Sequence, residues 1–200
     1  IHRRLVGSEM CIRDRLWKVR LIAITPDKLD DLDPQDYIKS FSIRNNPDLI
    51  IVRDTNASFA TKLEFANRLR KLSNASISIN AKANDFAGQK DISFGLHMNS
   101  VELKRAEKES LEKLKPQSVI SASCHNIEEI NKANFMSLDF VLVSPVLIDK
   151  FNPKLGWKNF SKLAVQCSSK VFALGGMNIP DLEIARKHGA QGIAGISMFT

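Results

Sequence analysis

The stretch Ser121-Ala122-Ser123-Cys124-His125-Asn126 holds the residues of this 200-residue chain best suited to proton chemistry. In an extended segment alternate side chains share a face, so Ser121, Ser123 and His125 point the same way. An imidazole so placed can take and return a proton near neutral pH. The competing use is a structural hydrogen bond to a neighbouring loop. Asn126 is a helix cap, and Glu129, three residues on, is its capping-box partner. Cys124 has the opposite parity to His125, which argues against a Cys–His nucleophile pair. Cys167 falls at a helix end, and neither cysteine has the setting of an activated thiol.

Two glycine clusters, Ala173-Leu174-Gly175-Gly176-Met177-Asn178 and Gly192-Ile193-Ala194-Gly195-Ile196-Ser197, suit a different task. Bare amides near a helix N-terminus bind anions, and glycine lets the backbone come close because no Cβ intervenes. Gly175, Gly176, Gly195, Ile196 and Ser197 are therefore the candidate phosphate cradle. The plainer reading is that the glycines only allow tight turns. His97, in Gly95-Leu96-His97-Met98-Asn99, shares the parity of Gly95 and is expected to be buried and hydrogen-bonded. His188 precedes Gly189 at a helix end and is given no chemistry. Arg53 could clamp an anion or form a strand-end salt bridge, to Asp54 or elsewhere. The chain has no GxxxxGK[ST] and no Gly-rich dinucleotide fingerprint, so nucleotide binding by those modes is unsupported.

These residues lie at the ends of short apolar runs. The runs are Val19–Thr25, Asp48–Arg53, Ser76–Asn80, Phe94–Met98, Ser118–Ser123, Asp139–Ser144, Lys170–Gly175 and Gln191–Ile196. Each has the character of a strand buried on both faces. Amphipathic stretches lie between them: Phe59, Leu63, Phe65, Ala66, Leu69 and Leu72 form one stripe, Ile127, Ile130, Ala133 and Asn134 another, and Leu182, Ala185 and Arg186 a third, closed by Gly189. Alternating strands and helices imply a parallel sheet. Eight units favour a closed (β/α)8 barrel over an open doubly wound sheet, with the eighth helix absent or truncated after Ile196. In such barrels the site forms at the C-terminal ends of the strands, with phosphate at loops seven and eight.

Composition sets outer limits. A 44% apolar content fills one core, and no apolar run reaches the length of a membrane helix. The three cysteines, Cys11, Cys124 and Cys167, form no CxxC, which fits a reducing cytoplasm rather than a disulfide framework or structural zinc. The formal charge is +7, with bases scattered among acids on helix faces, so a nucleic-acid partner is not expected. Residues 1–15, IHRRLVGSEMCIRDR, show neither helical nor strand periodicity and look like translated sequencing-adapter readthrough. They hold four basic and two acidic residues, leaving +5 on the rest. We set them apart from a single barrel domain over 16–200, whose native start would lie upstream.

Five segments in order carry a family resemblance. FGLHM (Phe94–Met98), SASCHNIEE (Ser121–Glu129), DFVLVSPV (Asp139–Val146), FALGGM (Phe172–Met177) and GAQGIA (Gly189–Ala194) resemble the DGVHL, S-x-H-x-x-E-E, DY-ϕ-x-x-GPV, AIGGI and GADGVAV motifs of the thiamine phosphate synthase/TenI family, where ϕ is apolar. The likeness runs from about Leu21 to Ser197 and is strongest after residue 90. The Leu155-Gly156-Trp157 segment and the Ser-Cys-His wording are most similar to the synthase-like domain fused behind Nudix hydrolases, so a Nudix domain would precede this one.

The resemblance implies an enzyme that joins an aminopyrimidine diphosphate to a thiazole phosphate, with Mg2+. It also shows departures. The family's QLREK diphosphate grip is Ile51-Val52-Arg53-Asp54-Thr55, keeping only the arginine. Its Asn-Asp pair is Asn80-Ala81, and its GQ-x-D metal loop is Asn99-Ser100-Val101-Glu102, where Glu102 is the remaining metal candidate. The Thr-rich loop is Ser144–Asp149, without its threonine. The phosphate half and His125 are kept, and in the TenI branch this histidine resembles the proton-transfer residue of a metal-independent thiazole tautomerase. Arg53, Asn80, His97, Ser121, Ser123 and Ser144 are the further substrate-facing candidates. A synthase, a tautomerase and a non-catalytic ligand-binding partner of a Nudix enzyme therefore stay open, as does a homo-oligomer. An unrelated sugar-phosphate isomerase would need a pair of strand-end acids, and no convincing pair is present.

Overall fold

A computed structural model describes residues 16–87, 89, 93–148 and 153–199. The expectations for residues 1–15, including Cys11, and for Asp149 fall outside the described residues. Eight parallel strands close into a barrel in the order β1 to β8. They are β1 (Leu21–Ile24), β2 (Leu49–Val52), β3 (Ser76–Asn80), β4 (Gly95–Met98), β5 (Ile120–Cys124), β6 (Phe140–Val143), β7 (Lys170–Leu174) and β8 (Gly192–Gly195). The connecting helices are α1 (Pro34–Arg44), α2 (Phe59–Leu72), α3 (Ala83–Ala87), α4 (Ser100–Arg105), α5 (Lys108–Leu114), α6 (Ile127–Phe135), α7 (Gly156–Ala164) and α8 (Asp181–Lys187). Their starts are written in the sequence. Asp33 with Pro34, Ser58, Asn99 and Asn126 each cap the helix that follows with a side-chain oxygen on a first-turn amide.

The alternation along each strand sorts the core into two layers. Ile22, Ile24, Leu49, Ile51, Phe140, Leu142, Phe172 and Ala194 pack with one another inside the barrel. Their neighbours, such as Ala23, Ile50, Ile79, Leu96, Val141 and Ile193, pack outward with helix residues Phe65, Leu69, Leu103, Ile130 and Phe160. On β1, β2 and β6 both faces are apolar, which is why those strands read as continuous apolar runs. Helix α2 departs from its expected stripe at two positions: Leu72 is 41% exposed and Lys62 is buried.

The barrel closes where β8 meets β1, with Leu21 beside Ile193 and Ala23 beside Gly195. A Cβ on Gly192 would stand 2.1 Å from the Arg20 carbonyl oxygen, which already accepts the Ile193 amide. Backbone cannot yield there without opening the seam. Gly192→Ala is therefore expected to destabilise the barrel by about 3 kcal/mol or more, the upper range for overpacking. Urea unfolding of the variant beside the parent measures it, and an unchanged midpoint would contradict the seam geometry.

Among the described residues no helix follows β8. The chain makes a turn, and Phe199 is buried against Phe41 of α1 with ring centroids 5.6 Å apart. Ser40 Oγ donates to the Phe199 carbonyl at 2.8 Å, so this short segment covers the side of the barrel beside β8.

Candidate functional site

The C-terminal strand ends bring together most of the expected polar residues, in three separate groups. The first is centred on His97, which points into the barrel and is 3% exposed. Its Nδ1 lies 2.9 Å from Ser121 Oγ and its Nε2 3.0 Å from Ser123 Oγ. Asn80 Nδ2 donates to the His97 carbonyl at 3.2 Å. With both ring nitrogens occupied, His97 is the buried structural histidine that its parity implied. Burial, and then the charge of Arg53, push its pKa down to about 3, so it is neutral at working pH.

The second group is built on His125, which follows the last residue of β5. Its amide donates to Glu129 Oε2 at 2.7 Å, and its Nδ1 lies 2.8 Å from the Ser144 carbonyl and 3.2 Å from Ser144 Oγ. A carbonyl only accepts, so the bond assigns the proton to Nδ1 and leaves the Nε2 lone pair of the neutral ring unspent. The ring is held by Ser144, just past β6, and the side chain remains exposed. The capping box differs in one detail from expectation. Asn126 Oδ1 takes the Glu129 amide at 3.0 Å, but the Glu129 carboxylate reaches back one residue further, to His125. Its other oxygen pairs with Lys104 Nζ at 2.9 Å, so a carboxylate 3% exposed in its side chain is fully engaged. Glu129 thus fixes the backbone of His125. Cys124 faces outward, and burial raises its thiol pKa, as it does that of Cys167, so neither is a ready nucleophile. His188 is occupied by Ser161 Oγ at 2.8 Å and by stacking on Trp157.

The third group is the pair of glycine loops. Gly175 and Gly176 have φ of +103° and +73°, a left-handed pair that turns the chain sharply after β7. Leu147 and Ile148 donate to the Gly175 carbonyl, seating the loop after β6 on them. A Cβ on Gly175 would come within 2.9 Å of Pro145 Cα, and one on Gly176 within 2.9 Å of the Ile148 side chain. Loop packing alone therefore accounts for these glycines, as the tight-turn reading held. Yet among the described residues the N–H groups of Gly176 and Ser197 have no acceptor. Gly195 ends β8, and Ile196 and Ser197 follow it, exposed. The helix N-terminus expected beside both loops is found after β7 only, at Asp181 of α8.

Residues of the diphosphate half are committed elsewhere. Arg53 is paired with Asp27, 3.3 Å to each carboxylate oxygen, and not with Asp54. Partial burial opposes ionisation of Asp27, but bonds from Thr55 and the Arg53 charge outweigh it and hold the carboxyl below its ordinary range. Asp54 is buried and accepts four backbone amides, those of Lys28, Leu29, Asn56 and Ala57, so it ties two loops together. Glu102 lies on α4, 3.5 Å from Arg105, in a groove it shares with Lys82 and Glu107. Among the described residues no three His, Cys, Asp or Glu side chains are grouped to hold a metal ion. The described residues do not fit a Mg2+ site: Asp54 is taken up by amides, Glu102 is paired with arginine, and Ala81 offers no ligand.

Sequence reasoning missed three of these partners. The Asp54-x-Asn56-Ala57 spacing is an Asx-turn pattern that could have revealed the anchor. Asp27 is distant in sequence from Arg53. Lys62, whose Nζ donates to the Asn80 carbonyl at 2.8 Å, sits mid-helix with nothing local to mark it.

With this geometry in place, comparison decides the family. The thiamine monophosphate synthase family model matches residues 21–199. The chain belongs to that family. A putative thiamine-phosphate synthase 2 of Aquifex aeolicus is 30% identical over 92 residues, which is 44% of this chain and half the length of that relative. A thiamine phosphate pyrophosphorylase from Pyrococcus furiosus superposes with a TM-score of 0.69 at 21% identity, covering 93% of this chain and 88% of the other. The corresponding Bacteroides thetaiotaomicron structure gives 0.59 at 20%, covering 90% and 83%. FabK from Thermotoga maritima gives 0.67 at 11%, over 94% and 61%, so these likenesses at low identity speak to the fold alone. No helix among the described residues is long and apolar enough to cross a membrane.

Proposed function

We propose that this member of the family binds a thiazole phosphate and moves a proton on its ring without a metal. The phosphate would rest on the backbone of Gly175–Gly176 and Gly195–Ser197. Arg53, Asn80, Ser121, Ser123 and Ser144 would line the remaining mouth, with His97 locking the two β5 serines. His125 would act through Nε2, taking a proton from one position and, once charged, returning it to another. The observation that carries this is the His125 ring itself, fixed through Nδ1 by Ser144 and left with one basic nitrogen. The coupling reaction is the weaker reading, because Asp54 and Glu102 are already spent on amides and arginine.

The test is solvent exchange. A thiazole carboxylate phosphate incubated with the protein in heavy water and a chelator is expected to take up deuterium faster than without protein. With aminopyrimidine diphosphate, thiazole phosphate and Mg2+, coupling is expected to be slow or absent. Robust Mg2+-dependent coupling would reverse the assignment in favour of the synthase. Saturable binding with no exchange would favour a ligand-binding domain that serves a Nudix partner, a reading the missing carboxylates support.

A further inference from the structure

The barrel carries a second opening, at the end opposite His125. A cavity of about 510 Å³ enters between the first residues of β3, β4 and β5. It exists because of four side chains that are small where the rest of the barrel is large. The first two inward positions of β3 are Ser76 and Ser78, and those leading into β4 are Ser93 and Gly95. On β6 and β7 the inward positions include Phe140 and Phe172, whose rings pack on each other. Gly95 has no room for more, since its Cβ would stand 2.3 Å from Ser78 Oγ.

Leu49 and Val119 supply apolar wall, and among the described residues the ionisable one on the lining is Arg70 of α2. Its guanidinium donates to Ser93 Oγ and to Asn67 Oδ1, and stands 5.1 Å over the Phe94 ring. Those bonds leave donors of the five-donor fork unused. A half-apolar concavity of this size with one cation at its rim has the make-up of a small-molecule pocket. A space this large left open inside a barrel forfeits packing that larger side chains would supply.

We propose that this cavity binds a small monocarboxylate with an apolar ring, the ring among Leu49, Val119 and the β3–β4 serines and the carboxylate on Arg70. One guanidinium balances one charge, and its fork matches a planar carboxylate. The site lies at the far end of the barrel from the glycine loops and does not depend on the function proposed for them.

Amide NMR of the full chain titrated with benzoate tests it, with benzyl alcohol as the uncharged probe. Benzoate is expected to shift the Gly95 and Val119 amides saturably, leaving those of Gly176 and Ser197 in place. Arg70→Gln should weaken benzoate by about tenfold, the low end for a charge-assisted hydrogen bond. Ser78→Val should abolish binding by filling the space; if that variant does not fold, Ser76→Val at the looser rim serves instead. The proposal is overturned if benzoate gives no saturable shift, if benzyl alcohol binds as well, or if the shifts fall on the glycine loops.

Discussion

His125→Ala should slow proton exchange on a thiazole phosphate by about 10²–10⁴-fold, the usual contribution of a positioned acid–base group. Affinity for the ligand should change little, because in the proposed mode the phosphate would rest on backbone amides and not on the imidazole. The separation follows from the structure. His125 touches Ser144 and Glu129, while the Gly176 and Ser197 amides belong to other strand ends. His125→Gln sharpens the test. Its side-chain amide can donate to the Ser144 carbonyl as Nδ1 does, so the loop after β6 stays supported, but it offers no base. Exchange rates and ligand affinities measured on parent, Ala and Gln variants should show both variants equally slow and all three equally tight. If Gln restores exchange, His125 is a structural prop and the binding-module reading gains.

The split between what the sequence disclosed and what it withheld has a physical basis. The eight strands were legible because burial on both faces makes them short, mostly apolar runs, and their ends were misplaced only by a residue or two. Parity put His97, Ser121 and Ser123 on one face, where they bond to one another, since period-two alternation is fixed by strand geometry; His125 lies past the end of β5, where that alternation no longer fixes its direction. What stayed hidden was pairing across distance. That Arg53 meets Asp27 rather than Asp54, or that Glu129 binds the amide of His125 rather than that of Asn126, depends on how loops from different units meet. The glycine clusters show the same limit from another side. Their types implied close approach, and close approach is present, but the nearest groups are Pro145 and Ile148 of the preceding loop. Short-range chemistry is written in residue type and spacing; the choice of partner is written only in the closed barrel.

Lowering the pH from about 6.5 toward 4.5 should destabilise the protein by about 1.4 kcal/mol per unit, and His97 should be the cause. Burial in the barrel, reinforced by the charge of Arg53, depresses its pKa from 6.5 in the unfolded chain to about 3 in the native state. Between those values the unfolded chain binds a proton that the native barrel refuses. Stability therefore rises with pH across this window and is fully present above about 6.5, where both states are neutral. The carboxyls held low by their hydrogen bonds, Asp27 and Asp54, act in the same direction, but only once the pH falls into the ordinary carboxylate range, so they do not mask the upper window. His97→Gln retains a donor and an acceptor for Ser121 and Ser123 and removes the titration. Urea midpoints at pH 7, 6 and 5 should fall steeply for the parent and stay nearly level for the variant. Parallel curves for parent and His97→Gln would mean that the native barrel admits a proton at His97, and that its interior there is wetter than the serine–histidine geometry allows.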